Sequence, residues 1–224
     1  MRKNRVYVFA LIALWSQAIR PASAVESSYT ILYFFTSTCP HCKNSEAIIN
    51  DLSKEYTVQG LLYGKGNGER RPYEVREGDK ATSSKYGVQG VPSLVVLKDD
   101  KFRLKLAGEH NIKDAPVILK AFRKGALTVS EAIETMPREE IIVTGWVNSR
   151  GDYFDKNTKF SLTDRQRNIY VGPWLPLEAV KSRFKKTRPR LMSDVIGKPV
   201  ALKGKIVKTG TGFQFSVKEE VIIE

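Results

Sequence analysis

The sequence predicts two domains, an α/β domain over residues 25–136 and a small all-β barrel over residues 137–224. Three observations carry this expectation. The strand-like run Tyr29–Phe35 leads directly into a helical pattern. Two later runs, Ser93–Lys98 and residues 102–107, read as a hairpin about the turn Asp99-Asp100. Beyond Met136-Pro137, helical periodicity gives way to short strand patterns separated by turn residues.

Composition bounds the reading. With 42% hydrophobic and 27% charged residues among 224, the chain is neither disordered nor fibrous. Two cysteines exclude a multi-disulfide scaffold. Residues 1–24 have the pattern of a secretory signal: the cations Arg2, Lys3 and Arg5, an apolar stretch over residues 6–15, and the small residues Ala22-Ser23-Ala24 at a cleavage site. The apolar stretch is shorter than the roughly 20 residues of a membrane span. Cleavage after Ala24 removes Arg2, Lys3, Arg5 and Arg20, which takes the net charge from +13 to +9. The expected location is the periplasm or another extracytoplasmic space, where disulfides persist.

Tyr29–Phe35 is continuously aromatic and β-branched, as in a strand buried on both faces. Thr36-Ser37-Thr38-Cys39-Pro40 is a polar turn that places proline in the first turn of a helix. Ala47, Ile48, Leu52 and Tyr56 continue at helical spacing. A second strand is expected over residues 58–63, an exposed Gly-rich loop over 64–78, and a short polar helix over 79–86. After the hairpin comes a helix over 114–124, with Pro116 in its first turn. The element order is thus β-α-β-α-β-β-α. In the second domain, strands are expected over 141–147, 159–163, 168–171, 199–208 and 212–223, with a helical stretch over 176–184 between the third and fourth. That is the layout of an OB-type barrel.

The chemistry lies at Cys39-Pro40-His41-Cys42. As a structural staple the pair would close almost no loop. As a zinc site it would need both histidines of the chain, His41 and His110, and His41 sits inside the pair where it is poorly placed to ligate the same ion. Neither reading suits two cysteines between a buried strand and a helix, so redox chemistry is expected and no metal. Cys39, just before the helix, should expose its sulfur to unsatisfied N–H groups and a positive dipole end, which lowers a thiol pKa. Cys42, one turn on, should be more buried and able to form the disulfide. Pro40 and His41 are expected to tune the Cys39 thiolate, His41 by a donor or a positive charge; the alternative is an exposed His41 without influence.

The stretch Phe34-Phe35-Thr36-Ser37-Thr38-Cys39-Pro40-His41-Cys42, with Gly90-Val91-Pro92-Ser93 about 50 residues on, resembles the thioredoxin-fold oxidoreductases over residues 27–125. The CPHC sequence resembles the DsbA-like periplasmic oxidases, and the compact spacing resembles thioredoxins and TraF-like proteins. The resemblance implies a cis peptide bond before Pro92 that faces the cysteine pair, and a Val91 backbone that pairs with extended substrate. It also implies no cofactor beyond a redox-active Cys39–Cys42 disulfide. One departure stands out: the family buries an acid six positions before the first cysteine, where this chain has Tyr33. Glu46, one turn beyond Cys42, is a substitute by position but is read as a surface residue.

The positive charge belongs mainly to the second domain, +7 over residues 137–224 against +2 over 25–136. Residues 140–222 resemble an OB fold. Trp146, Tyr153, Phe154, Tyr170, Trp174 and Phe184 could stack on single strands, although several lie in strand patterns and are read as core. The cluster Lys181, Arg183, Lys185, Lys186, Arg188 and Arg190 suits an anionic surface or an acidic protein; the alternative is a solvated loop. Export weighs against nucleic acid as the routine ligand.

The expectation is therefore an exported thiol–disulfide oxidoreductase that forms or exchanges disulfides in other exported proteins and is regenerated by a membrane redox partner. The alternatives are a dedicated reductant for one client, such as cytochrome maturation or a secretion or conjugation apparatus, and an assembly factor dominated by its basic domain.

Overall fold

The computed structural model describes residues 29–64, 71–148, 158–175, 196–210 and 212–222. The signal segment, the helical stretch at 176–184, the basic cluster at 181–190, Tyr153 and Phe154 lie outside the described residues.

The first sheet has the strand order β3-β2-β1-β4-β5. Its strands are β1 (Tyr29–Phe35), β2 (Thr57–Leu62), β3 (Glu74–Glu77), β4 (Ser93–Lys98) and β5 (Lys101–Ala107). β1 is central, parallel to β2 and antiparallel to β4. Side-chain alternation divides its residues between two cores. Ile31, Tyr33 and Phe35 enter one with Ile49, Leu94, Val96, Ile118 and Phe122. Leu32 and Phe34 enter the other with Leu61, Val95 and Leu97. This double burial is why β1 reads as an unbroken apolar run.

Helix α1 (Pro40–Leu52) closes the first core through Cys42, Ser45, Ile49 and Leu52, a buried stripe spaced for one helix face. Helix α2 (Lys80–Lys85) begins at Asp79, whose carboxylate accepts from the Thr82 N–H at 2.6 Å. A short helix α3 (Glu109–Ile112) follows Gly108, and α4 (Ala115–Arg123) buries Ile118, Leu119 and Phe122.

The region expected as loop over 64–78 holds an edge strand. β3 runs parallel to β2, with Val75 opposite Gly60. Its residues are Glu-Val-Arg-Glu, polar because the strand lies at the sheet edge with little of it buried, so the sequence offered no apolar strand signature. α3 is the second addition to the expected order.

The second sheet-rich domain holds β6 (Leu127–Thr128), β7 (Ile141–Asn148), β8 (Thr158–Thr163), β9 (Asn168–Leu175), β10 (Pro199–Thr209) and β11 (Gly212–Glu220), in the order β10-β11-β9-β8-β7-β6. β10 pairs with β7 as well, and β9 runs parallel to β11. The chain enters this sheet before the composition change at Met136-Pro137. Leu127 already pairs with Val143, and helix α5 (Val129–Thr135) buries Val129, Ala132 and Ile133 in the second core.

The two layers are in contact. Trp146 of β7 and Ala201 of β10 belong to the core that holds α4. Trp146 Nε1 donates to Asp114 Oδ2 at 2.6 Å. Arg103 of β5, largely buried, donates to Tyr29 Oη and to the Ala126 carbonyl, both at 3.1 Å, and pairs with Glu131 of α5.

Candidate redox site

The site forms where β1 ends and α1 begins. Cys39 is the N-cap residue, with extended backbone angles, and Pro40 follows at the start of the helix, where its missing N–H costs nothing. Cys39 Sγ accepts a hydrogen bond from the Cys42 N–H at 3.2 Å. The sulfur thus takes the cap position that a serine or aspartate oxygen ordinarily fills, and a thiolate accepts such a bond better than a thiol. Both cysteines are free; Cys39 is half-buried and Cys42 is 4% exposed. Burial, followed by the hydrogen bond to Cys39, pushes the Cys42 thiol up to about 12, so it is protonated near neutral pH.

Beneath Cys42 lies Tyr33, completely buried on β1, with its hydroxyl donating to the Cys42 carbonyl at 3.0 Å. Glu46 does not supply the missing acid to Cys42. Its carboxylate pairs at 2.6 Å with Arg71, whose guanidinium lies 4.5 Å from the centre of the Phe35 ring.

His41 is exposed and turned to a partner outside α1. Its Nδ1 lies 3.0 Å from Glu109 Oε2, to which Asn44 Nδ2 also donates at 3.1 Å. Lys113 pairs with the other oxygen at 3.0 Å. The hydrogen bonds from His41, then Asn44, then Lys113 hold the Glu109 carboxyl down at about 2. The carboxylate therefore ties α1 to α3 beside the cysteine pair.

The Val91–Pro92 peptide bond is cis. Both residues line a cleft of about 410 Å³ together with His41, Gly108, Glu109, His110 and Lys113. The chain's two histidines thus border one cleft beside the cysteine pair. Among the described residues no cluster of three or more His, Cys, Asp or Glu could hold a metal ion.

Glu109, Lys113 and Gly108 were missed by sequence reasoning. They follow a hairpin strand in a polar stretch, and only the sheet topology returns that stretch to the start of α1. The available signal was Gly108, whose φ of 83° marks a turn between β5 and α3.

Residues 15–122 match the family model described as Thioredoxin. Solved structures similar to the chain include a mutant thioredoxin from Halobacterium salinarum NRC-1, at 18% identity over 43% of this chain and 76% of that one, with a TM-score of 0.33. Thioredoxin from Aeropyrum pernix is similar at 25% identity over 41% and 76%, with a TM-score of 0.31. DsbF of MTB, solved in mixed oxidised and reduced forms, is similar at 14% identity over 37% and 71%, with a TM-score of 0.32. No curated protein matches the chain. The family match and the pair at the head of α1 define a thioredoxin-fold domain with a Cys-X-X-Cys centre, joined to a second sheet-rich domain. That combination supports thiol–disulfide oxidoreductase activity in general.

Proposed function

We propose that the protein is an exported thiol–disulfide oxidoreductase that forms or exchanges disulfides in other exported proteins through Cys39 and Cys42. The observation that carries this reading is the contrast within the pair: a half-buried cysteine whose sulfur caps the N-terminus of α1 beside a buried one, next to a cleft lined by Val91 and Pro92.

In the oxidising direction a client thiolate attacks Cys39 Sγ of the Cys39–Cys42 disulfide. A client–Cys39 bond forms and Cys42 leaves as thiolate. A second client thiolate then attacks the client sulfur of that mixed disulfide, which forms the client disulfide and releases Cys39. Two electrons pass to the pair, and a membrane redox partner takes them away. In the reducing direction Cys39 attacks and Cys42 resolves. Val91 and Pro92 are the proposed wall for extended client chain, and Pro40 and His41 the proposed tuning dipeptide. His41 does so within its Glu109 contact. No cofactor is needed beyond the redox-active pair.

The second domain is proposed as an OB-type barrel that docks the redox domain to an anionic surface or an acidic protein. The sequence of pairings β7-β8-β9-β11-β10, the return of β10 to β7 and the parallel β9–β11 pair support that architecture. The surplus of positive charge supports the docking role.

Trapping tests the redox reading. A Cys42→Ala variant in the exporting cell should accumulate client disulfides through Cys39, and Cys39→Ala should accumulate none. A Cys42→Ala variant that traps nothing while Cys39→Ala leaves client maturation unchanged would overturn it in favour of an assembly role. The redox potential of the pair separates the directions: a value near that of thioredoxin, about −270 mV, would favour the dedicated reductant.

A further inference from the structure

The cleft beside the cysteine pair is unevenly furnished. Its acid is recessed and already engaged. The Glu109 side chain is 18% exposed, its Oε2 lies against His41 Nδ1 and accepts from Asn44 Nδ2, and its Oε1 pairs with Lys113. Neighbouring carbonyls are engaged as well. Pro92 accepts from the Gly108 N–H at 2.8 Å, Gly108 from the N–H groups of Asn111 and Ile112, and Glu109 from that of Lys113 at 3.2 Å. The donors are spent less completely. The Lys113 side chain is 55% exposed, and its ammonium keeps donors beyond the one that Glu109 takes. The His110 ring lines the same cleft, and no hydrogen bond or ion pair engages it among the described residues.

We propose that this cleft selects clients by charge, taking an aspartate or glutamate side chain next to the client's reacting cysteine onto Lys113 and His110. A carboxylate accepts hydrogen bonds and donates none, so it matches unspent donors. A client lysine or arginine would instead have to displace Lys113, His41 or Asn44 from Glu109. The place in the fold suits the task. The cleft shares Val91 and Pro92 with the proposed wall for extended client chain, and His41 with the Cys-X-X-Cys turn. A residue flanking the client cysteine therefore comes to the cleft while the client sulfur is at Cys39. The net charge of the chain, +13, draws an acidic client in the same sense. Lys113 and His110 act here as specificity residues, apart from the sulfurs that react.

This role of the cleft rests on the proposed exchange reaction and is tested on the full chain in its disulfide form. The probes are acetylated and amidated peptides in which a single cysteine is flanked by Glu, Gln or Lys, with β-mercaptoethanol as a small neutral thiol. The peptide thiolate attacks Cys39 Sγ, a peptide–Cys39 bond forms, and Cys42 leaves as thiolate. A second peptide thiolate attacks the peptide sulfur, the peptide disulfide forms, and Cys39 leaves with the pair reduced by two electrons. Acid quenching and mass spectrometry give the rate of the first step. A flanking charge alters the thiol itself, so each rate is divided by that of the same peptide with hydroxyethyl disulfide.

After this division the Glu peptide should react about threefold faster than the Gln peptide, the scale of an exposed ion pair, and the Lys peptide no faster than the Gln peptide. Lys113→Gln combined with His110→Gln should bring the Glu-to-Gln ratio down to about one. Glu109→Gln releases Lys113 and should raise the ratio, which keeps the test decisive if the double variant folds poorly. Lys101→Gln removes a cation at the other end of the β4–β5 hairpin, where Lys101 faces Lys98, and should leave the ratio as it is. Equal rates for the Glu and Gln peptides, a faster Lys peptide, or a ratio that the cleft variants move no more than Lys101→Gln does would overturn charge selection and leave the redox reading standing. A parent protein that reacts with neither β-mercaptoethanol nor any peptide would overturn the redox reading and charge selection with it.

Discussion

Two cysteines of one motif stand in different surroundings. Cys39 occupies a half-buried cap position, and Cys42 lies buried one turn further on. Glu109 is the other residue whose state the structure defines. Its folded value of about 2 lies below the ordinary 4.5, so its contacts stabilise the fold while pH stays above the unfolded value and lose that effect as pH falls through the folded one. The melting temperature of the parent should therefore exceed that of Glu109→Gln at about pH 6, with the gap closing as pH approaches about 2. A gap that is constant over that range would show the His41–Glu109–Lys113 contacts to be unimportant for the fold. The same residues border the cleft, so Glu109→Gln should also change the rate at which Cys39 captures a charged peptide thiol while sparing its reaction with a small neutral one.

At the scale of elements, α1 and α5 show two ways of starting a helix. α1 starts on a sulfur cap and a proline; α5 starts on a reciprocal capping box in which Thr128 Oγ1 accepts from the Glu131 N–H at 3.1 Å and Glu131 Oε2 accepts from the Thr128 N–H at 2.8 Å. Thr128→Ala should cost about 1 kcal/mol, read by urea unfolding. The strands of the second sheet depend on two close approaches. A Cβ on Gly145 would meet the Thr163 carbonyl oxygen at 2.5 Å, and one on Gly204 would meet that of Ser216 at 2.1 Å, beside the register shift between Lys203 and Gly204. Since these obstacles are backbone, Gly145→Ala and Gly204→Ala should each destabilise by about 1–3 kcal/mol. Gly90→Ala, which meets nothing within 4 Å, is the control and should be tolerated.

Across the whole molecule the seam between the layers joins specific groups. Trp146 inserts between Asp114, which accepts its indole N–H, and Arg165, whose guanidinium lies 4.5 Å from the ring centre. Lys124 Nζ donates to the Ile222 carbonyl at 2.7 Å, and buried Arg103 spans from β5 to Glu131 of α5. Such coupling predicts one calorimetric unfolding transition for the parent. Trp146→Phe removes the indole N–H that Asp114 accepts at the seam, at a cost of about 1–3 kcal/mol. It should broaden that transition or split it in two; a sharp single transition at the original temperature would show the layers to be independent of this contact.

Much of the first layer was legible because its signals are local. Tyr29–Phe35 announces a doubly buried strand by its continuous apolar character, and Cys39-Pro40 announces a helix start by proline's fixed geometry. The Cys39–Cys42 pair was legible for the same reason, since a spacing along the chain already sets a distance on a helix. What the sequence could not express is what comes from afar. β3 is a strand only because β2 lends it an edge, and α5 joins the second core ahead of the composition change because its apolar face finds Val143 and Leu162 there. Glu109 reaches His41 across 68 positions of chain, and Tyr33, marked in the sequence only as a departure, comes to rest under Cys42. Residue type and spacing decided that a Cys-X-X-Cys pair stands at the head of a helix. Long-range packing alone decided which charges and donors surround it, because burial and hydrogen-bond geometry are properties of neighbours in space.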